Sequence, residues 1–504
     1  MDRRRFLKIA ALSSTGAALL SPAPEAAARG IPAESFPGGR PGKCHIPPNN
    51  PVILTSLTDL FKIGPGPSSS HTIAPLRIAG NFREAVAALP PEILSQAQSI
   101  QAHLFGSLSA TGQGHRTDRA ILAGLLGQKP ETCDTALMDR LEDTRQQYVT
   151  QIGDKTFTLD RNTLVWDQVE HSYPFSNTLV MRLVGADGAT LFEREYYSPG
   201  GGFFQWKGQP APDRGQPVHP YGNMTAFKQL ARERQKSLDE IVLENERAIM
   251  KVGDAEILAH LDRVLSTMEN GVDRGLNEEG VLPGPFPVYR RAKRLYQSTQ
   301  NAGDGDGDGF MNRLSSYALA VSEGNAAGRL AVTAPTLGSA GTLPALVYAM
   351  KHHLKLSQDA MRRGLLAAGL VGFLCKNNAS VAGAEVGCQG EIGVASAMAA
   401  AMLAHAGGAP LDTTEIAATI ALEHHLGMSC DPVGGFVLIP CIERNAFGAI
   451  KAYNAYLLAK NEIASQHWED LDRVVLAMLE TGRALPAPFK EMGTAGLGVT
   501  MVNC

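Results

Sequence analysis

The sequence predicts an α+β protein, in which an N-terminal α+β domain precedes a mainly α-helical domain. Up to about residue 205, short segments with alternating apolar residues predict strands mixed with helices. Beyond about residue 225 such patterns nearly vanish, and segments rich in Ala and Leu have helical spacing. Residues 206–222 between them are rich in Gly, Pro and Gln, which is typical of a connection. The predicted parts are the first domain (52–205), the connection (206–236) and the second domain (237–504).

The composition limits the class of protein. Of the 504 residues, 44% are hydrophobic and 19% are charged, so the chain can bury a large core. The 46 basic and 50 acidic side chains give a net charge of −4, which argues against a nucleic-acid partner. The run Ile392–Leu411 has no charged residue but consists mostly of Ala and Gly. It therefore predicts a closely packed buried helix, and the sequence predicts no membrane span.

Residues 1–28 have the order of features found in a secretory signal. Three consecutive arginines precede the apolar stretch Ile9–Leu20, and Ala26–Ala28 offers a small-residue cleavage site. Paired arginines followed by Phe-Leu-Lys are typical of a twin-arginine signal, so the sequence predicts export to the periplasm. The alternative is a basic tail on a cytoplasmic protein. Residues 29–51, rich in Pro and Gly, are predicted to be a linker.

The individual elements follow from the local patterns. Ile100–Phe105 alternates weakly and predicts a strand. Leu179–Leu183 and Thr190–Tyr197 flank the turn Gly185–Gly188 and predict a β-hairpin. In the second domain, four segments have helical spacing: Leu238–Met268, Gln358–Leu374, Glu391–Ala406 and Thr413–His424. Gly-rich loops separate several of them, and residues on such loops are available for chemistry.

The loop Gly64–Thr72, which leads into the helical pattern Ile73–Ala88, is the first candidate site. A helix start binds carboxylates or phosphates, because its unpaired N–H groups and the helix dipole favour an anion. An imidazole in the loop can exchange a proton near neutral pH. The alternative is a plain capping loop with an incidental histidine. The candidate residues are Ser68, Ser69, Ser70, His71 and Thr72.

Three of the seven cysteines, Cys388, Cys430 and Cys441, lie within two residues of Gly or Pro in the C-terminal third. There the backbone can bring thiolates close to a bulky inorganic centre, and iron–sulfur clusters are held by Cys thiolates. Three protein ligands would leave one iron able to act as a Lewis acid on a hydroxyl. The residues alone leave a second interpretation open, because a free Cys is usually a small buried hydrophobe.

Taken together, the motifs resemble the iron–sulfur-dependent L-serine dehydratases of bacteria in their single-chain form. The resemblance runs from about Leu54 to the last residue, and its stretches follow the order found in the family. Its landmarks are Gly66–Thr72, Gly106–Asp118, Tyr197–Phe203, Leu282–Ala292, Thr333–Pro335 with Gly338–Gly341, Glu385–Glu391 and Cys430–Asn445.

The resemblance implies an N-terminal domain related to allosteric substrate-binding domains and a helical catalytic domain that holds a [4Fe–4S] cluster. The cluster ligands of the family fall on Cys388, Cys430 and Cys441. The C-terminal cysteine of the family, which can occupy the open iron in the resting enzyme, falls on Cys504. The resemblance also implies a homodimer.

The implied reaction removes water from L-serine to give aminoacrylate, which then yields pyruvate and ammonia. The α-proton needs a base, for which His71 is the candidate, and the hydroxyl needs the Lewis acid. The hydroxyl-bearing residues of the loop are expected to hold the substrate carboxylate: Ser68, Ser69, Ser70 and Thr72. Since this loop and the cysteines are far apart in the sequence, the interpretation requires the two domains to meet.

Two alternative functions stay open at this point. A pyridoxal-phosphate dehydratase would use the serine-rich loop to hold the cofactor phosphate and a lysine to form the Schiff base. No lysine stands out in such a setting, and the three cysteines would have no role. A serine-binding protein without catalytic activity would keep the fold alone.

Overall fold

The computed structural model describes residues 47–143, 145–300 and 307–501. All of these residues belong to one compact unit. The predicted signal 1–28, residues 29–46 of the predicted linker, and Cys504 lie outside the described residues.

The described residues contain nine strands. They are β1 (Ile63–Pro65), β2 (Ala97–Phe105), β3 (Tyr148–Ile152), β4 (Lys155–Leu159), β5 (Leu164–Trp166), β6 (Thr178–Gly185), β7 (Thr190–Tyr197), β8 (Gln205–Trp206) and β9 (Leu330–Val332). Five of them form the main sheet in the order β5-β2-β6-β7-β8. Strands β2 and β5 are parallel, and the other neighbours are antiparallel. The predicted strand Ile100–Phe105 lies within β2, and the predicted hairpin is the β6–β7 pair.

The described residues also contain nineteen α-helices, most of them beyond the sheet. They are α1 (Leu57–Leu60), α2 (Ala74–Ala87), α3 (Pro91–Gln96), α4 (Ser107–Thr111), α5 (Thr117–Leu125), α6 (Thr135–Arg140), α7 (Met224–Arg234), α8 (Leu238–Met250), α9 (Asp254–Gly275), α10 (Ala292–Ser298), α11 (Gly307–Ala326), α12 (Thr342–His352), α13 (Gln358–Asn378), α14 (Gly383–Val386), α15 (Val394–Ala406), α16 (Leu411–Glu423), α17 (Cys441–Asn461), α18 (Leu471–Ala484) and α19 (Leu497–Thr500). The predicted α+β class, with a mainly helical second part, is confirmed.

Helix α15 is the centre of the helical region. Every residue of α15 except His405 is buried, and the helix packs against α13, α16 and α17. Its many alanines let these neighbours approach closely, because a methyl side chain adds little thickness between helix axes. None of the described helices combines the length and the apolar character that crossing a membrane requires.

One of the four predicted helical segments is divided in two. Within Leu238–Met268, α8 ends at Met250 and α9 begins at Asp254. Lys251 adopts a left-handed conformation with φ of +59°, which ends a helix. Helical spacing continues across this break in the sequence, so spacing alone did not indicate it. The other three segments correspond to α13, α15 with the turn before it, and α16.

The two regions are joined directly before the serine-rich loop. Strand β1 pairs antiparallel with β9, so that Ile63 lies opposite Val332. Helix α7 forms within the predicted connection 206–236, and its Phe227 and Ala231 are buried in the helical core. The serine-rich loop therefore leaves β1 at the boundary between the sheet and the helices.

Candidate active site

The serine-rich loop enters α2 through a π-helical turn, Ser69–Ile73. Ser68 caps this turn, since its Oγ accepts a hydrogen bond from the His71 N–H at 3.2 Å. The first N–H groups of a helix have no partner within the helix, so those of this turn suit an anion. Ser198, from a glycine-rich loop after β7, donates to the Ser70 carbonyl oxygen at 2.9 Å and holds the turn from outside.

The His71 ring is fully buried and has hydroxyl partners at both nitrogens. Its Nδ1 lies 2.8 Å from the Ser70 Oγ. Its Nε2 lies 3.1 Å from the hydroxyl oxygens of Ser107 and Thr111. Burial, and then the neighbouring His115, holds the pKa of His71 well below its ordinary value. The ring is therefore neutral near pH 7, with one nitrogen able to accept a proton.

The Thr72 hydroxyl bonds to main-chain groups and holds the loop in place, unlike the other hydroxyls proposed to bind the substrate. Its Oγ1 donates to the carbonyl oxygen of His115 at 2.7 Å and accepts from the Ser68 N–H at 3.2 Å. The His115 ring lies 4.6 Å from the His71 ring, measured between centroids, and burial lowers the pKa of His115 to about 4. Thr72 thus anchors the loop to the segment that packs on His71.

Two of the three predicted cysteine ligands lie around a half-buried glutamate, Glu391. The Sγ atoms of Cys388 and Cys430 and a carboxylate oxygen of Glu391 all lie within 4.8 Å of one another. Glu391 Oε2 is 3.8 Å from each sulfur, and Oε1 accepts a hydrogen bond from Thr336 Oγ1 at 2.7 Å. Cys388 precedes a second π-helical turn, Gln389–Gly393, which leads into α15. We call Cys388, Cys430 and Glu391 the cysteine group.

Cys441, the third predicted ligand, is the first residue of α17 and is buried. Its Sγ is not among the ligand atoms of the cysteine group, which all lie within 4.8 Å of one another. It nevertheless interacts electrostatically with Cys388 and with Arg444, one turn further into α17. Burial alone would lower the pKa of Arg444, but the nearby Cys388 and Cys441 raise it. Cys441 is thus a neighbour of the cysteine group.

The sulfur atoms of these cysteines suit a metal centre with thiolate ligands. The hydrogen bond with Cys388, and then burial, raises the pKa of the Cys430 thiol well above its ordinary value, and burial raises that of Cys441. A bound cationic metal would reverse these shifts, because it stabilises the thiolate form. A Cβ on Gly383 would lie only 3.2 Å from the Cys430 Sγ, so glycine keeps space open beside the sulfur. Thiolates arranged in this way suit an iron–sulfur cluster.

A C-terminal segment is bound along the loop that carries Cys430. The Cys430 N–H donates to the Phe489 carbonyl oxygen at 2.8 Å, and the Glu491 N–H donates to the Cys430 carbonyl oxygen at 2.7 Å. Further along, Asp431 Oδ2 accepts a hydrogen bond from the Leu497 N–H at 2.9 Å. The segment is therefore part of the wall of the site.

Glu491 connects this segment to the serine-rich loop. The Ser70 Oγ donates to Glu491 Oε1 at 3.4 Å, and His71 Nδ1 lies 3.9 Å from the same oxygen. Burial, and then the negative charge of Glu391, raises the pKa of Glu491 to about 8. A buried imidazole, a buried carboxyl and the cysteine group thus border one site.

Comparison with known proteins assigns both parts of the chain. Residues 56–209 match the family model of the serine dehydratase beta chain, and residues 233–498 match that of the serine dehydratase alpha chain. The chain belongs to the serine dehydratase family. The family resemblance found in the sequence is thereby confirmed.

Several relatives in the serine dehydratase family match over nearly their full length. The L-serine dehydratase of Streptomyces coelicolor is 40% identical over 462 residues, covering 90% of this chain and 100% of that protein. That of Haemophilus influenzae is 39% identical over 460 residues, covering 89% of this chain and 100% of that protein. That of Helicobacter pylori strain 26695 is 36% identical over 465 residues, covering 88% and 99%.

Within this serine dehydratase fold, Glu491 links the serine-rich loop to the segment of Cys430. Ser70 in the loop and Glu491 beside the cysteine group are 421 positions apart and hydrogen-bonded. Cys388 and Cys430 lie together, and Cys441 lies beside them. Cys504 lies outside the described residues. The roles assigned to these residues, as ligands or as base, remain predictions.

Several residues of the site were missed in the sequence. Glu391, Ser107 and Thr111 stand in stretches that carried the family resemblance, yet no role was assigned to them. An acidic residue three positions after a candidate ligand cysteine was an available signal for Glu391. Glu491 follows the last long helix in a stretch without a motif, so no local pattern indicated it.

Proposed function

We propose that the protein converts L-serine into pyruvate and ammonia with a [4Fe–4S] cluster held by Cys388, Cys430 and Cys441. Membership of the family makes the chain an L-serine dehydratase, which is an L-serine ammonia-lyase. The observation that carries the finer proposal is that a buried neutral imidazole and a group of buried thiols border the same site.

The three cysteines suit the cluster because they are buried free thiols. Two of them, Cys388 and Cys430, lie together, and Cys441 interacts electrostatically with Cys388. When bound, the cluster supplies a Lewis acid for the substrate hydroxyl. Cys504 is the proposed ligand of the remaining iron in the resting enzyme, as the family resemblance implies. The chain itself supplies the other functions, which are binding of the carboxylate and transfer of the α-proton.

The start of the π-helical turn is the proposed binding site for the substrate carboxylate. The N–H groups of Ser69 and Ser70 lie in its first turn, where a helix has no internal acceptor for them. The hydroxyls of Ser68 and Ser70 lie 3.2 Å apart and can add hydrogen bonds to the same anion. Thr72 supports this site indirectly, because its hydroxyl is bonded to the His115 main chain.

His71 Nδ1 is the proposed base. In the proposed tautomer, Nε2 carries the hydrogen towards Ser107 and Nδ1 keeps its lone pair. Nδ1 faces Ser70 and Glu491, on the side of the cysteine group. Transfer of the α-proton to Nδ1 and departure of the β-hydroxide leave aminoacrylate, and the proton and hydroxide together make one water. Aminoacrylate then tautomerises and takes up one water, which gives pyruvate and ammonia.

Iron and sulfide analysis of protein purified without air, followed by a pyruvate assay with L-serine, tests the proposal. We expect stoichiometric iron and sulfide together with serine-dependent pyruvate. An aldimine absorption band with a bound pyridoxal cofactor would instead support the pyridoxal-phosphate alternative. Tight serine binding without iron and without pyruvate would support the non-catalytic alternative.

The environment of His71 predicts the pH below which kcat declines. Because burial lowers its pKa well below 6.5, the ring still accepts a proton at pH values where an exposed histidine is mostly protonated. We therefore expect kcat to stay level as the pH falls through 6.5 and to decline only below it. A pH profile of kcat at saturating serine, which reports groups in the enzyme–substrate complex, measures this. A decline centred at or above pH 6.5 would contradict the assignment.

We also propose that residues 1–28 direct export through the twin-arginine route. Replacing Arg4 and Arg5 by Lys should keep the protein in the cytoplasm, because the route recognises the arginine pair. Cell fractionation of a bacterial host that has this route, with an immunoblot for the protein, measures the distribution. Arg40→Lys, in the predicted linker outside the arginine motif, is the control and should leave export intact. Equal distribution of the double variant and the unchanged protein would show that the segment is a basic tail.

A further inference from the structure

The substrate of the proposed reaction has three polar groups, and the residues described so far account for two. The start of the π-helical turn suits the carboxylate, and the hydroxyl is directed to the cysteine side of the site. The α-ammonium group also leaves water when serine binds, and a buried ammonium needs an anionic partner. The need for such a partner rests on the proposed function.

Two carboxyl groups lie at the site, the half-buried Glu391 and the buried Glu491, and they differ in their partners. Glu391 accepts a hydrogen bond from Thr336 at 2.7 Å, and its other oxygen lies 3.8 Å from the sulfurs of Cys388 and Cys430. Its carboxyl is therefore engaged with the cysteine group. Glu491 lies on the other side, towards the serine-rich loop.

Glu491 is held firmly in this position by its main chain. Its N–H donates to the Cys430 carbonyl oxygen at 2.7 Å, and the residue has a φ of +66°, a left-handed conformation that is unusual outside glycine. The residue is only 8% exposed. Backbone pairing and an uncommon conformation together direct one carboxyl group into the site.

The carboxyl of Glu491 has no strong partner that would compensate a negative charge on it. Its hydrogen bond from the Ser70 hydroxyl is long, at 3.4 Å, and His71, 3.9 Å away, is neutral. Among the residues that the structure describes, no Lys or Arg side chain lies within 4.0 Å of it. A buried carboxylate is costly unless it is paired, and an arriving ammonium group supplies the missing positive charge.

We propose that Glu491 binds the α-ammonium group of the substrate. The same substrate carbon carries the ammonium group and the proton that is removed. An acceptor 3.9 Å from His71 Nδ1 therefore brings that proton to the base. Glu491 thereby selects α-amino acids over hydroxy acids and over acids without an amino group.

The holoenzyme variant Glu491→Gln tests this, since it keeps the size of the side chain and removes its charge. Two quantities are measured in each preparation: the KM for L-serine and the inhibition constant of 3-hydroxypropionate, which has the same carboxylate and hydroxyl but no amino group. We expect the KM to rise on the order of 10²-fold, as for a truncated buried charge pair, and the inhibition constant to stay the same. Glu480→Gln, on the exposed face of α18, is the control and should change neither quantity.

The two ligands are compared within one preparation, so any fraction of misfolded or cluster-free molecules affects both measurements alike. Equal weakening of both ligands, or an unchanged KM, would overturn the role of Glu491. If the unchanged protein makes no pyruvate, the proposed function fails separately. Serine is then not consumed, and calorimetric binding of L-serine and 3-hydroxypropionate tests Glu491 by the same comparison.

Discussion

Replacing Cys430 by Ser is expected to remove the proposed cluster and the activity together. The sulfur lies in the cysteine group with Cys388 and Glu391, and its main chain holds the C-terminal segment. A serine hydroxyl is a hard and weakly acidic ligand that does not replace a thiolate on iron. We expect iron and sulfide close to zero and no detectable serine-dependent pyruvate. The same result is expected for Cys388→Ser and for Cys441→Ser.

Cys133→Ser is the matched control, because Cys133 is also a buried free thiol but lies in the core of the first region. This variant should keep its iron and its turnover. Metal analysis and the pyruvate assay on the same anaerobic preparations separate the outcomes. A fully loaded and active Cys430→Ser protein would show that the cysteine is not a ligand.

Replacing His71 by Ala should reduce turnover by about 10²–10⁴-fold, which is the usual contribution of a general base. The iron content should not change, because the His71 ring is hydrogen-bonded to Ser70, Ser107 and Thr111 and, within the described part of the chain, to no cysteine. The measurement is kcat for serine, normalised to the iron in each preparation.

His103→Ala is the control for this substitution. His103 lies on β2 and pairs with Asp167 at 2.7 Å, away from the serine-rich loop, so its loss should leave kcat unchanged. Loss of iron in the His71→Ala protein would mean that the residue supports the cluster. Full turnover would mean that another group removes the proton.

Local patterns predicted those parts of the fold that local forces determine. Alternating apolar residues on both sides of a Gly-containing turn predicted the β6–β7 hairpin. The helical spacing of apolar residues within each segment predicted α13 and α16. The break between α8 and α9 was missed, because Lys251 adopts a left-handed conformation that its residue type does not indicate. The short strand β9 was also missed, since it is defined by its pairing with β1.

The site was predictable to the extent that its residues stand in motifs. The serine-rich loop and the three cysteines were found in this way. Glu391 and Glu491 were not, because their roles arise from long-range packing that brings residues 391 and 491 to a loop near residue 70. The sequence around Glu491 does not distinguish it from the many acidic residues at the surface. Its main-chain pairing with Cys430 distinguishes it, and that pairing is visible only in the structure.

The pairing of Cys430 with residues 489–491 also has a consequence for the order of biosynthesis. A ribosome makes the chain from its N-terminus, so the serine-rich loop and all three cysteines emerge before the segment that closes the wall around Cys430. During that interval the cysteine side of the site lacks this cover. For the proposed cluster, this order leaves the three thiols without that cover until the C-terminal segment emerges and pairs with Cys430.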